Sequence, residues 1–142
     1  VGEIGWIAAV CGHFGVPLLL ISGDQTACAE AQDLLGPVET VVVKEARGRM
    51  AAECLPPEVA QQRIQQAAQR AVQRFLEGQA PQPWHVDGPV TVTVELVQSQ
   101  MADRAAILPG AQRLAGKQVQ FSAEDALLAY RAFRSVIALA RD

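Results

Sequence analysis

No run of apolar residues in this 142-residue chain approaches the roughly 20 needed to cross a bilayer. The strongest candidate, around Leu18 to Ile21, has the length of a strand, and the expectation is a soluble chain with no membrane partner. Histidine is nearly absent: there are only His13 and His85, and no HExxH-like spacing ties either to a carboxylate, so no complete zinc site arises from a local motif. Cysteine is sparse too. Cys11, Cys28 and Cys54 are odd in number, widely spaced and contain no CxxC pattern, so neither a disulfide framework nor a cysteine zinc site is indicated, and a reducing cytoplasm is the simplest setting. There is no excess of basic residues, with 12 Lys and Arg against 15 Asp and Glu, a net charge of -3 and a pI near 5.4. The arginines are spread along helical stretches, so the chain carries no electrostatic footprint for nucleic acid. A charged segment followed by an apolar core and a cleavage site is missing, and secretion has no support in these residues.

Half of the residues are hydrophobic and 19% are charged, enough to bury a core. Residues 2–15 read as a helix, because Glu3, Ile7, Val10 and Phe14 recur on one face and Gly15 stands where a helix ends. Residues 16–22 read as a strand buried on both faces, with Pro17 near its start. Gly23-Asp24 turns into a second helix that Asp24 or Thr26 caps, with Ala27, Ala31, Leu34 and Leu35 on its apolar side and Gly36-Pro37 at its end. Residues 40–44 form the next strand, and 47–56 read as irregular. This helix and strand succession predicts an α/β fold with a parallel sheet covered by helices in three αβα layers, of which the chain holds part. Pro57 opens a long helix to Leu76, closed by Gly78. Ala60, Ile64, Ala67, Ala68, Ala71, Val72 and Phe75 line one of its faces. The other is glutamine-rich, with Arg70 and Arg74, and reads as a solvated or subunit-facing side, or as a groove for an acidic ligand.

Residues 79–88, with Pro81 and Pro83, read as a linker between a first part, 1–78, and a small α+β terminal unit, 89–142. That unit is expected to contain a strand at 90–97, a short helix at 101–107, a turn at Pro109-Gly110, a strand at 119–121 and a last helix. Ser122 and Asp125 resemble a capping box for this helix, and Ala126, Tyr130, Phe133 and Ile137 are its packing stripe. The chain enters a helical pattern directly at Val1, and the expectation is that an N-terminal part of the protein is missing here.

Glu3 is the candidate for chemistry. It shares its helix face with Ile7, Val10 and Phe14, which predicts a carboxylate turned toward the core, where it must meet a cation, a metal or hydrogen-bond donors. Spacing alone leaves a plainer reading open, a first-turn glutamate that favours the helix dipole. His13 near a helix end reads as a dipole partner and His85 beside Trp84 as a surface residue. Cys11 and Cys28, among apolar neighbours and with no base nearby, read as buried, inert thiols. No GxSxG, P-loop or dinucleotide fingerprint is present.

Val1-Gly2-Glu3-Ile4-Gly5, followed by Ala8, Gly12, Val16-Pro17 and Gly23-Asp24, resembles the middle of the DppA-like D-aminopeptidases, self-compartmentalising zinc peptidases. The resemblance continues at Lys44, Arg49, Cys54-Leu55 and Pro57. It extends through residues 89–95, Ala102-Asp103, Pro109-Gly110, Arg113 and Val119-Gln120-Phe121, and so spans the chain as the C-terminal half of the family's fold. It implies that Glu3 is a metal ligand in a site of two zinc ions per subunit. The family's other ligands, an Asp-x-Glu pair and two histidines, and its essential catalytic histidine match positions upstream of Val1, so no catalytic residue is expected in this chain and the chain alone is expected to be inactive. The implied activity of the intact protein is metal-assisted hydrolysis of short peptides with N-terminal D-amino acids, in ring-like homo-decamers. At Ile7 the sequence departs from the family, which carries Asn one helical turn from the ligand. The rival expectation is a non-catalytic binding or assembly module that keeps the fold without the peptidase site.

Overall fold

The computed structural model describes residues 1–141; Asp142, the last residue of the expected terminal unit, lies outside the described residues. The chain separates into two compact units, Val1–Trp84 and His85–Asp142. Among the described residues, five helices and two three-stranded sheets make a mixed α/β structure.

The first unit opens with α1, Glu3–His13. Its buried residues are Gly5, Ala8, Ala9 and Gly12, whereas Ile7 and Phe14 are 39% and 64% exposed. The expectation of a core face through Glu3, Ile7, Val10 and Phe14 is therefore corrected. The helix seats through its small residues: a Cβ on Gly5 would lie 3.0 Å from Val1 Cβ and 3.5 Å from the Leu34 methyl, so glycine permits this approach. The first strand, β1, is Leu20–Asp24, shorter and later than the predicted 16–22. The reason lies in the end of α1. Gly15 adopts φ 69°, its N–H donates to Gly12 O (2.9 Å) and the Val16 N–H donates to Cys11 O (2.9 Å), so these residues close the helix in a Schellman motif and do not pair as strand.

Asp24 caps α2, Gln25–Leu35, its side chain accepting from the Ala27 N–H at 2.8 Å, one of the two caps the sequence offers. The helix buries Cys28 and Ala31 and ends at Gly36, φ 73°. It crosses over to β2, Glu39–Gly48, which pairs parallel with β1 from Leu20↔Glu39 to Asp24↔Lys44. In the order β1-β2-β3 the strand β1 is an edge, and it is half-buried instead of enclosed on both faces. Residues 47–56 are not irregular as expected. β2 continues through Arg47 and turns back as β3, Ala51–Cys54, an antiparallel hairpin. Its residues are mostly exposed, with charged residues among alanines and glycine, so no apolar alternation announces it; Arg47 reaches Glu45 (2.9 Å) and Glu53 (2.7 Å).

The helix α3 runs Pro57–Leu76 with proline in its first turn and Gly78 beyond its end at φ 71°. Ala67 and Ala71 are buried, Ala60, Ile64 and Ala68 are half-buried, and Val72 and Phe75, expected on the same face, are about half exposed. Arg70 and Arg74 both donate to the Glu39 carboxylate at 3.3 Å, which ties this helix to β2.

In the second unit β4, Val90–Glu95, pairs antiparallel with β6, Gln118–Ala123, and β6 in turn with β5, Gln112–Ala115, a strand the sequence did not reveal. The helix α4 is Ser99–Ala105, two residues earlier than predicted, and α5 is Ala126–Ala140. Val94, Leu96, Ala102, Ala105, Val119, Phe121, Val136 and Ala140 form the core, with Phe133 and Ile137 packed against it. The capping box is corrected. Ser122 lies in β6 and bonds across to Thr91 Oγ1 (2.9 Å), so Asp125 is itself the cap and accepts from the Leu128 N–H at 2.8 Å.

Candidate functional site

The Val1-Gly2-Glu3-Ile4-Gly5 segment is shaped by two close approaches. A side chain on Gly2 would meet the Glu30 carboxylate, 2.7 Å from Oε1, and Gly5 rests against Val1 and Leu34. Glycine at both positions lets the first turn of α1 lie against α2, and Glu3 stands at its exposed start. Here the expectation of an inward carboxylate is overturned: Glu3 is exposed and makes no hydrogen bond or ion pair among the described residues. The α1 face bearing Glu3, Ile7 and Phe14 is the outer face in this chain. Val1 and the α2 residues Glu30, Asp33 and Leu34 line a shallow cavity of about 420 Å³.

His13, half-buried in the last turn of α1, packs edge-on to Phe14 with ring centroids 5.0 Å apart. His85 is exposed and stands 3.6 Å from Asp87, at the surface as expected. Cys28 is buried, and burial pushes its thiol above the usual range, in keeping with an inert group. Cys11, expected buried as well, is half-buried, and Cys54 is exposed. Among the described residues no three His, Cys, Asp or Glu side chains converge to hold a metal ion. Glu3 fits a zinc site only as a single oxygen donor, since a stable site takes three or four protein ligands. Two residues that the sequence did not single out as site residues, Lys44 on β2 and Arg63 on α3, line one cavity of the first unit. Only the packing of α3 on β2 brings them together, so no local motif could have found them.

Comparison with known proteins agrees with this fold. The family profile described as D-aminopeptidase, a peptidase family, matches residues 1–135. A D-aminopeptidase of Bacillus subtilis strain 168 is 35% identical over 141 residues, which are 99% of this chain and 50% of that protein. The solved structure of the Zn-dependent D-aminopeptidase DppA from Bacillus subtilis, described as a self-compartmentalizing protease, superposes with a TM-score of 0.89 at 32% identity, again over 99% of this chain and 50% of the other. The chain thus spans about half the length of the relatives it matches. On a profile match over nearly all of its residues, the chain belongs to the D-aminopeptidase family of peptidases.

Proposed function

We propose that this chain is the C-terminal half of a zinc-dependent aminopeptidase that hydrolyses short peptides with N-terminal D-amino acids, and that Glu3 is its metal ligand. In this reading residues 1–78 complete the metallopeptidase α/β domain, 79–88 are a linker and 89–142 are an accessory unit. The observation that carries it is the pairing of a full-length match to half of a zinc-dependent relative with an exposed, unpartnered carboxylate at the start of α1. The missing half supplies the remaining ligands and the catalytic histidine and covers the Ile7 and Phe14 face. Two zinc ions per subunit, assembly into a ring-like homo-decamer and a cytoplasmic setting belong to the same reading; the free state of all three cysteines suits a reducing compartment. No specific observation favours the non-catalytic module.

Zinc, when bound, supplies polarisation of the scissile carbonyl and water acidic enough to act near neutral pH. The part of Glu3 is to donate an oxygen, to offset the positive charge of the site and to fix its position from a helix start held against α2. Glu3→Gln in the intact protein tests this. The amide is the same size and Glu3 is exposed at the helix start in this chain, so the substitution should leave the fold in place. Metal content by elemental analysis should fall, with an affinity loss beyond the ~10- to 100-fold of a lost outer partner, and the peptidase rate should fall with it. Unchanged metal content and rate would return Glu3 to the role of a residue that merely favours the helix dipole.

A further inference from the structure

The first unit holds a groove between β2 and α3 made of two cavities, about 350 and 220 Å³, that share Val42 and Arg63. Thr40, Val42 and Lys44 alternate onto one side of the strand, while Arg63, Gln66 and Arg70 follow one another along the helix at three- and four-residue steps. The larger cavity lies at the lower end of the roughly 300–1,000 Å³ usual for small-molecule sites.

Charge is distributed unevenly here. Arg47 is occupied by Glu45 and Glu53, and Arg70 by Glu39. The side chains of Lys44 and Arg63 make no hydrogen bond or ion pair among the described residues. The cavity thus presents a planar guanidinium with its fork of donors and an ammonium, while the two carboxylates that also line it, Glu45 and Glu53, are engaged by Arg47. Val42, 37% exposed, and half-buried Leu55 give it an apolar wall. A guanidinium fork matches a two-oxygen planar anion. The nearby carboxylates of Glu45 and Glu53 act against a dianion, and the apolar wall suits a ligand with a hydrocarbon body.

We propose that this groove binds a small monocarboxylate with an apolar body, the chemistry of the carboxyl end of an amino acid or short peptide. Arg63 and Lys44 hold the carboxylate, and Val42 and Leu55 receive the body. The proposal goes beyond the peptidase reading and does not depend on Glu3 or on a metal.

The test is titration of the protein with N-acetyl-leucine, its neutral amide and inorganic phosphate at low ionic strength, followed by calorimetry. The acid should bind, with Arg63→Ala and Lys44→Ala each weakening it about tenfold, the worth of a charge-assisted hydrogen bond. Arg63→Lys, which keeps the charge and loses the fork, should weaken it less. Both side chains are exposed, so the variants should fold, and Arg131→Ala, a change of charge in the other unit, should leave binding as it is. Cys54 lines the same cavity and is exposed, so the bound acid should slow its alkylation by iodoacetamide, read by peptide mass mapping. Equal binding of the amide would show that the cations play no part, and tighter binding of phosphate would replace the carboxylate by a different anion. Absence of binding at millimolar concentration, or binding that leaves Cys54 unprotected, would overturn the proposal.

Discussion

Replacing Gly88 with alanine should damage the second unit more than any other single added methyl group in it. A Cβ on Gly88 would fall on the carbonyl oxygen of Glu124, far inside van der Waals contact, and only 3.0 Å from that carbonyl carbon. The atoms in the way are backbone, so no side-chain rotation relieves the overlap. Either the chain entering β4 or the corner between β6 and α5 must move. That corner carries the terminal ladder pair Val90↔Ala123 and the Asp125 cap on the Leu128 N–H. Loss of the cap costs about 1 kcal/mol and of a ladder hydrogen bond about 1 kcal/mol, before any strain in the displaced segment. A total of ~2–4 kcal/mol lowers the melting temperature of a domain this small by on the order of 10 °C or more. The assay is thermal melting together with amide exchange at Leu128 and Ala129, whose N–H groups report on the corner. Gly116→Ala is the control, since nothing lies within 4 Å of a Cβ there and its φ is not in the left-handed region. Equal melting temperatures and equal exchange for the two variants would refute the steric reasoning.

Asp125→Ala, which removes only the cap, should cost about 1 kcal/mol in the same melt, and Asp125→Asn should recover most of it. Val136→Ala, at a fully buried position in the second core, removes two methyl groups and leaves a cavity, so a loss of about 2 kcal/mol is expected in denaturant titration. Burial raises the Cys28 thiol above 9.0, so below that pH both folded and unfolded states keep the proton and its contribution is complete. As pH rises from there toward the raised folded value, the unfolded state releases its proton first and stability falls; denaturant titration across that range should show a smaller decline in Cys28→Ala than in the parent.

Residues acting through their nearest neighbours in sequence were legible from sequence. Asp24 could be identified as a cap, Pro57 as the first turn of the long helix, and Gly36 and Gly78 as helix ends, because each depends on backbone geometry within a turn. The family was legible too, through spaced short motifs whose order covers the chain, and the profile match over 1–135 agrees. Two kinds of feature required the tertiary structure. One is which face of a helix is buried: periodicity grouped Glu3 with Ile7 and Phe14, but α1 packs through Gly5, Ala8, Ala9 and Gly12, because close approach to α2 favours residues without bulk. Large side chains at helical spacing mark a face, not its direction. The other is pairing between distant segments. The exposed hairpin of β2 and β3 and the strand β5 have no apolar alternation of their own and exist through long-range hydrogen bonding. The meeting of Lys44 with Arg63 has the same origin, since a charge on a strand and a charge on a helix nineteen positions later become neighbours only when α3 packs onto β2.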